Sequence, residues 1–140
     1  MTYTLSLVFL EFSLPGDPKV SPALKKRAAQ IKLLLMDVDG TMTDGSVTLL
    51  SQTDGTALEI KTFDAHDGQG LTLAQTAGLR TGCITGRESA ALLRRAHEMK
   101  MEFIYMKQPV KMPAYEEILE KAGVSVLLSL ISGMTFRIFL

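Results

Sequence analysis

The stretch Lys32-Leu33-Leu34-Leu35-Met36-Asp37-Val38-Asp39-Gly40-Thr41 limits what this chain can fold into more than any other. Its apolar run is too short for a helix and has the length of a fully buried parallel strand. The run ends in two aspartates one residue apart, then a glycine and a threonine. Side chains alternate along a strand, so Asp37 and Asp39 share one side, at the carboxyl end where open α/β sheets place their ligands. Two carboxylates about 4 Å apart repel by roughly 4 kcal/mol at an effective dielectric near 20. Such a pair persists where one is protonated or a cation lies beside them. Gly40 lets the backbone approach a ligand closely, and the N–H groups that follow, from Thr41 on, can face an anion. Taken alone, Asp-x-Asp-Gly also reads as a solvated strand end feeding a turn. Partners further along the chain decide between the two.

With 140 residues the chain is one domain with room for a core. Its 15 basic and 15 acidic residues cancel, so no nucleic-acid or acidic-membrane surface is indicated. The single cysteine, Cys83, rules out an internal disulfide and suits a reducing, cytoplasmic setting; its expected role is a small buried strand residue. His66 and His97 are too few for a histidine-rich metal site, and His97 is expected on an exposed helix face. Residues 1–20 fit poorly with the rest. Their apolar stretch, 5–10, is far shorter than a membrane span, is interrupted by Glu11 and has no basic residue before it, unlike a signal peptide. Pro15, Gly16, Pro18 and Pro22 break regular structure. The natural start is expected near Val20, with the preceding residues a leader or a misassigned start.

From Ser21 the chain changes character. Ser21-Pro22-Ala23-Leu24-Lys25-Lys26-Arg27 reads as an N-cap, a proline at the first helical position and a short basic helix. After Thr41 a turn leads to two strand-like runs, 47–50 and 58–63, joined through a loop whose Asp54-Gly55 is a strong hairpin signal. A polar, glycine-punctuated loop is expected over 63–70, then a helix over 71–77 stopped by Gly78. A buried strand over 79–85 ends in Thr85-Gly86-Arg87. The helix over 88–100 sets Leu92, Leu93 and Ala96 against Arg94, Arg95 and Glu98. A strand over 101–106 and a turn at Lys107-Gln108-Pro109 precede a helix that follows Lys111, has Pro113 near its start and runs to Gly123; a last strand follows. This alternation implies an α/β fold, a parallel sheet with helices on both faces.

Three further features fall at, or within reach of, the strand ends that carry Asp37 and Asp39. Thr85 offers a hydroxyl and Gly86 an amide to an anion, Lys111 offers a positive charge, and Asp67 lies in a loop able to reach the same mouth. Singly, each has a bland reading as a cap or a solvated charge. Together, a nucleophilic carboxylate, a second carboxylate able to shuttle a proton, an anion-binding hydroxyl and a lysine make a phosphoryl-transfer site. Charge developing on phosphoryl oxygens needs fixed positive partners, which Lys111 and Mg²⁺ can supply. Magnesium is the natural ion for carboxylate oxygens, a backbone carbonyl, waters and phosphate.

These residues resemble the first three motifs of the haloacid dehalogenase superfamily of phosphatases. Within it, residues 35–45, the hairpin, 63–70, Ile84-Thr85-Gly86-Arg87-Glu88-Ser89 and 111–119 look like the 3-deoxy-D-manno-octulosonate 8-phosphate (KDO 8-phosphate) phosphatases, a similarity running from about Ser21 to Ser125. The resemblance implies a capless, Rossmann-like three-layer sandwich with a hairpin insertion after the first strand. It implies Asp37 as nucleophile, Asp39 as general acid/base, Mg²⁺ held by the Asp37 carboxylate and the Asp39 carbonyl, and Thr85 and Lys111 as stabilisers of the phosphoryl group. Gly40, Thr41, Gly86, Arg87, His66 and Asp67 would contact a small sugar-acid phosphate. Relatives usually carry arginine where this chain has His66, and Arg87 can share the recognition of the sugar-acid end. The resemblance further implies a cytoplasmic homotetramer in lipopolysaccharide precursor synthesis, with a neighbour's hairpin helping to close the site. A sialic-acid-type 9-phosphate remains an alternative substrate.

After Ser125 the chain departs from that pattern. A fourth motif, a strand ending in Gly-Asp-Asp, is expected to complete the magnesium site, yet residues 126–140 contain no acidic side chain. Permitted codons from Leu128 onward, regrouped by one base, can spell Val-Ala-Tyr-Ile-Gly-Asp-Asp-Leu-Pro-Asp-Leu-Pro. A frameshift between about Gly123 and Leu128 accounts for the loss. The expectation is a phosphatase domain over 21–125, an aberrant segment over 126–140 and a sheet incomplete at that end, with an apolar edge around residues 127–131. The chain is then either a weak or inactive enzyme or a non-catalytic relative that only assembles with full-length subunits.

Overall fold

The apolar run ahead of the aspartates forms strand β1, Leu33–Met36, in a computed structural model that describes residues 21–126 and, by backbone alone, 129–132. The expectations for residues 1–20 lie outside the described residues. With β4 (Arg80–Ile84), β5 (Phe103–Tyr105) and β6 (Ser129–Ser132), β1 makes a four-stranded sheet in the order β5-β4-β1-β6. Every pairing is parallel; Met36 stands opposite Cys83 of β4 on one side and Ser132 of β6 on the other. The segment after Ser125 thus supplies a strand, and that strand lies at the sheet's edge, directly beside β1.

Parallel strands need crossovers, and helices provide them. Helices α2 (Ala65–Thr76) and α3 (Ala90–Glu98) contribute Leu71, Leu92 and Ala96 to a cluster with Met36, Val38, Cys83 and Met99 on one side of the sheet. Helix α4 (Lys111–Ala122) contributes Ala114, Tyr115 and Ile118 to a second cluster with Leu33, Leu35, Ile84 and Phe103 on the other side. The three layers expected from the sequence are present. Gly82 makes the second cluster possible: a Cβ there would lie 2.6 Å from the Phe103 Cβ, 2.7 Å from the Phe103 carbonyl oxygen and 3.0 Å from a Leu35 methyl.

Between β1 and α2 stand only a turn and an antiparallel hairpin, β2 (Thr48–Ser51) and β3 (Ala57–Ile60). Its loop uses Asp54 and Gly55 as the sequence suggests: Gly55 takes φ +85°, and the Asp54 carboxylate accepts from the Thr56 N–H and hydroxyl. Val47, Leu49, Leu50, Leu58 and Ile60 are each 47–60% exposed.

The start of α2 corrects the sequence reading. The helix begins at Ala65, six residues before the expected 71, and turns most of the supposed loop into helix. Asp64 is its N-cap, accepting from the His66 N–H at 2.6 Å. Gly68 and Gly70 look like loop punctuation but lie inside the helix. At Gly68 an added Cβ would displace the Arg95 guanidinium of α3. Helix α1 (Pro22–Ala28) belongs to a separate unit ending at Gln30; Ser21 caps it as expected, its hydroxyl accepting from the Leu24 N–H. Among the described residues no helix is long and apolar enough to cross a membrane.

Candidate active site

Beyond β1 the chain turns sharply around one acceptor. The Val38 carbonyl receives the N–H groups of Thr41, Met42 and Thr43 at 3.2, 2.9 and 3.1 Å. Val38 is fully buried, whereas Asp37 and Asp39 on either side of it are half-buried, an alternation of burial of the kind read from the sequence. Gly40 takes φ +81°, a conformation that favours glycine. The N–H groups from Thr41 on, expected to face an anion, go instead to the Val38 carbonyl, and that of Gly40 goes to the Thr43 hydroxyl at 3.4 Å. Closing so tight a turn consumes them.

Each carboxylate has its own lysine. Lys111, the first residue of α4, reaches Asp37 Oδ2 at 2.6 Å, with side chains 19% and 17% exposed. The negative charge of Asp37 is therefore held next to a fixed cation, in a setting where a charge-assisted hydrogen bond counts for about 1.5–3 kcal/mol. Asp39 pairs with Lys61, a residue the sequence reading passed over. Lys61 follows β3 and its side chain is only 3% exposed. The signal was available: Glu59-Ile60-Lys61 sets an acid and a base on one face of a strand directly before the Phe63 loop.

Thr85 follows β4 and is 2% exposed. Its N–H donates to the Tyr105 carbonyl and its carbonyl accepts from Gln108 N–H, both at 2.9 Å, fixing the loop after β4 to the end of β5. The Thr85 hydroxyl accepts from the Arg87 N–H at 3.3 Å and keeps its own hydrogen for a ligand. Gly86 is exposed. Arg87 donates to Glu59 of the hairpin. Cys83 is fully buried, and burial pushes its thiol up to about 11. It is the inert strand residue expected.

His66 and Asp67 fall on the first turn of α2. The His66 side chain is 94% exposed and its Nδ1 lies 3.1 Å from the Asp64 carboxylate, whose pKa is held below the ordinary value by the bonds from the His66 N–H and ring. Both residues, with Thr41, line a cavity of about 420 Å³ floored by Leu34, Met36, Phe63 and Leu71. Asp37, Asp39, Thr85 and Lys111 are not among its lining residues, nor are Gly40, Gly86 and Arg87.

A parallel α/β sheet with a hairpin after its first strand and this set of residues at the strand ends is the fold of haloacid dehalogenase-type phosphatases, whose solved structures this chain resembles. Its named relatives are narrower still. Over 94 residues it is 37% identical to the 3-deoxy-D-manno-octulosonate 8-phosphate phosphatase of Yersinia pestis, covering 67% of this chain and 48% of that protein. The Salmonella typhimurium protein of the same name is 31% identical over 106 residues, 76% of this chain and 54% of the relative. The crystal structure of the Moraxella catarrhalis phosphatase, in complex with magnesium, phosphate and KDO, superposes with a TM-score of 0.68 at 35% identity, over 76% of this chain and 59% of that one. No family model matches. The chain spans about half the length of the curated relatives it matches.

Proposed function

We propose that this chain carries the phosphoryl-transfer site of a magnesium-dependent phosphomonoester hydrolase of the KDO 8-phosphate phosphatase type, whose substrate is a small sugar-acid phosphate used in building lipopolysaccharide precursors. The observation that carries the reading is the Asp37–Lys111 pair at the end of β1. A carboxylate nucleophile needs a neighbouring cation for the incoming phosphoryl oxygens, and a lysine 2.6 Å away supplies it. Asp37 attacks phosphorus and an aspartyl phosphate forms as the ester oxygen leaves. Asp39 protonates that oxygen, then takes a proton from the water that releases phosphate. The Thr85 hydroxyl donates to a phosphoryl oxygen, and Arg87, His66 and Asp67 meet the rest of the substrate.

The donor set fits magnesium in kind. Hard carboxylate oxygens from one or two residues, with waters and phosphate, are what that ion takes, and Asp37 with the Asp39 carbonyl would hold it. When bound it offsets charge on the phosphoryl oxygens. The set is thin in number: among the described residues no group of three His, Cys, Asp or Glu side chains is placed to hold a metal. Residues 126–140 add no acid. In the shifted frame, Gly-Asp-Asp falls across the codons of Ser132 to Thr135, directly after β6 and beside the strand that carries Asp37. This supports the frameshift reading and a chain of weak turnover.

A second reading has one observation in its favour: five large apolar residues exposed on and beside the hairpin. They suit burial against further copies or full-length subunits in a homotetramer, with this chain as a non-catalytic member. Phosphate release from KDO 8-phosphate separates the readings, measured with and without Mg²⁺ on this chain, its Asp37→Asn variant and a frame-restored chain, beside a sialic-acid-type 9-phosphate. The restored chain is expected to turn over in the cytoplasmic pH range, this chain far more slowly, and Asp37→Asn not at all. Near-normal turnover by the 140-residue chain overturns the weak-enzyme reading; an inactive restored chain overturns the substrate assignment.

A further inference from the structure

Four side chains of alternating sign run from the mouth onto the hairpin: Asp39, Lys61, Glu59 and Arg87. Lys61 Nζ donates to the Asp39 carboxylate and lies 3.7 Å from Glu59 Oε1, and the same Glu59 oxygen accepts from Arg87 Nη2. Glu59 and Lys61 are two residues apart on one side of β3, with Leu58 and Ile60 exposed on the other. The Lys61 and Glu59 side chains are 3% and 21% exposed, and that of Arg87 is 42% exposed. Arg87 therefore comes from the loop after β4, where Thr85 stands, and is tied to the hairpin through one nitrogen. A guanidinium has five N–H donors. Its other side-chain donors have no described partner.

We propose that Glu59 is a positioning residue: it fixes the Arg87 guanidinium beside Thr85 so that the remaining N–H groups take a carboxylate on the phosphorylated ligand. The inference deepens the reading of the mouth as a phosphate site and rests on it. An untethered arginine on the exposed loop would have to be ordered by each ligand, at a cost in affinity; tethered through one nitrogen, it is ordered in advance and still presents a planar face that matches a carboxylate. Glu59 is in turn held by Lys61, whose burial leaves it little freedom, so the placement of the Arg87 guanidinium depends on the hairpin as well as on its own loop.

The test needs no turnover. Binding of 6-phosphogluconate and of sorbitol 6-phosphate, six-carbon phosphates that differ in the carboxylate, is measured calorimetrically on this chain. The unaltered protein is expected to prefer the acid. Glu59→Gln is expected to weaken 6-phosphogluconate about tenfold, the equivalent of about 1.4 kcal/mol, and to leave sorbitol 6-phosphate unchanged. Arg87→Ala abolishes the preference, and Glu59→Gln adds nothing on that background. A merely structural role would weaken both ligands alike, and that result, or an unchanged preference in Glu59→Gln, overturns the proposal. If Glu59→Gln does not fold, Glu59→Asp, which keeps the charge and shortens its reach to Arg87, carries the test through the same loss of preference. Binding of neither ligand to the unaltered chain removes the phosphate-site reading and this inference together; binding of both with no preference for the acid removes this inference alone.

Discussion

Replacing Gly82 by alanine tests the account of how closely β4 packs between β1 and β5. Gly82 is the middle residue of β4, paired with Leu35 on β1 and Phe103 on β5. An added Cβ would lie 2.6 and 2.7 Å from Phe103 atoms, one of them a backbone oxygen, and 3.0 Å from Leu35. Ordinary contact begins near 3.4 Å, so two atoms must retreat by about 0.7–0.8 Å. Both belong to a neighbouring strand held by ladder hydrogen bonds, and neither is the free end of a flexible side chain. Overpacking of this kind costs about 1–3 kcal/mol and occasionally more; with rigid atoms on the receiving side the upper part of that range is expected. At about 4 °C per kcal/mol for a chain of this size, Gly82→Ala lowers Tm by roughly 8–12 °C. Gly70→Ala is the control. Gly70 lies in α2 with nothing within 4 Å of its added Cβ, so the exchange raises stability by about 0.5–1 kcal/mol through helix propensity. Urea unfolding followed by circular dichroism, with thermal melts, measures both. Equal effects in the two variants, or a Gly82→Ala loss below about 0.5 kcal/mol, would refute the claim that close approach of three strands fixes this residue.

Two other outcomes follow from titrating groups. Arg80 holds the Glu102 carboxyl below its ordinary value of 4.5, chiefly by hydrogen bonding. A folded-state value below the unfolded one gives stability that is present above 4.5 and lost as pH falls through the folded value, so thermal melts should drop on acidification below 4.5 and drop less in Glu102→Gln. The Cys83 thiol is pushed up from 9.0 to about 11, so between those values the unfolded chain ionises first and stability falls as pH rises. Iodoacetamide at pH near 8 should label native protein at a small fraction of the rate seen in urea; equal rates would show the thiol to be accessible.

Much of this was readable from residues. The Leu33–Met36 run gave a central strand because nothing but a buried parallel strand accommodates four large apolar residues ending in acids. Asp54-Gly55 gave the hairpin because that dipeptide accepts positive φ. Lys111 was legible as a charge near the mouth, though not as the first residue of α4 with Asp37 as its partner. The beginning of α2 was not legible: two glycines argue locally against a helix, and the Asp64 cap that starts it reads equally well as part of a loop. Lys61 was missed for a similar reason. A lysine after an exposed strand normally stays in water, and its burial depends on Asp39, 22 residues earlier in the chain.

The edge position of β6 has a consequence for how such a protein ages. A strand ladder is made of backbone groups and is indifferent to which side chains they carry, provided few of them are charged. Ser129-Leu130-Ile131-Ser132 docks beside β1 as readily as Val-Ala-Tyr-Ile would. On the proposed frameshift, architecture of this sort would outlast part of its chemistry: the ladder beside β1 would be kept while the acids expected after it would be lost.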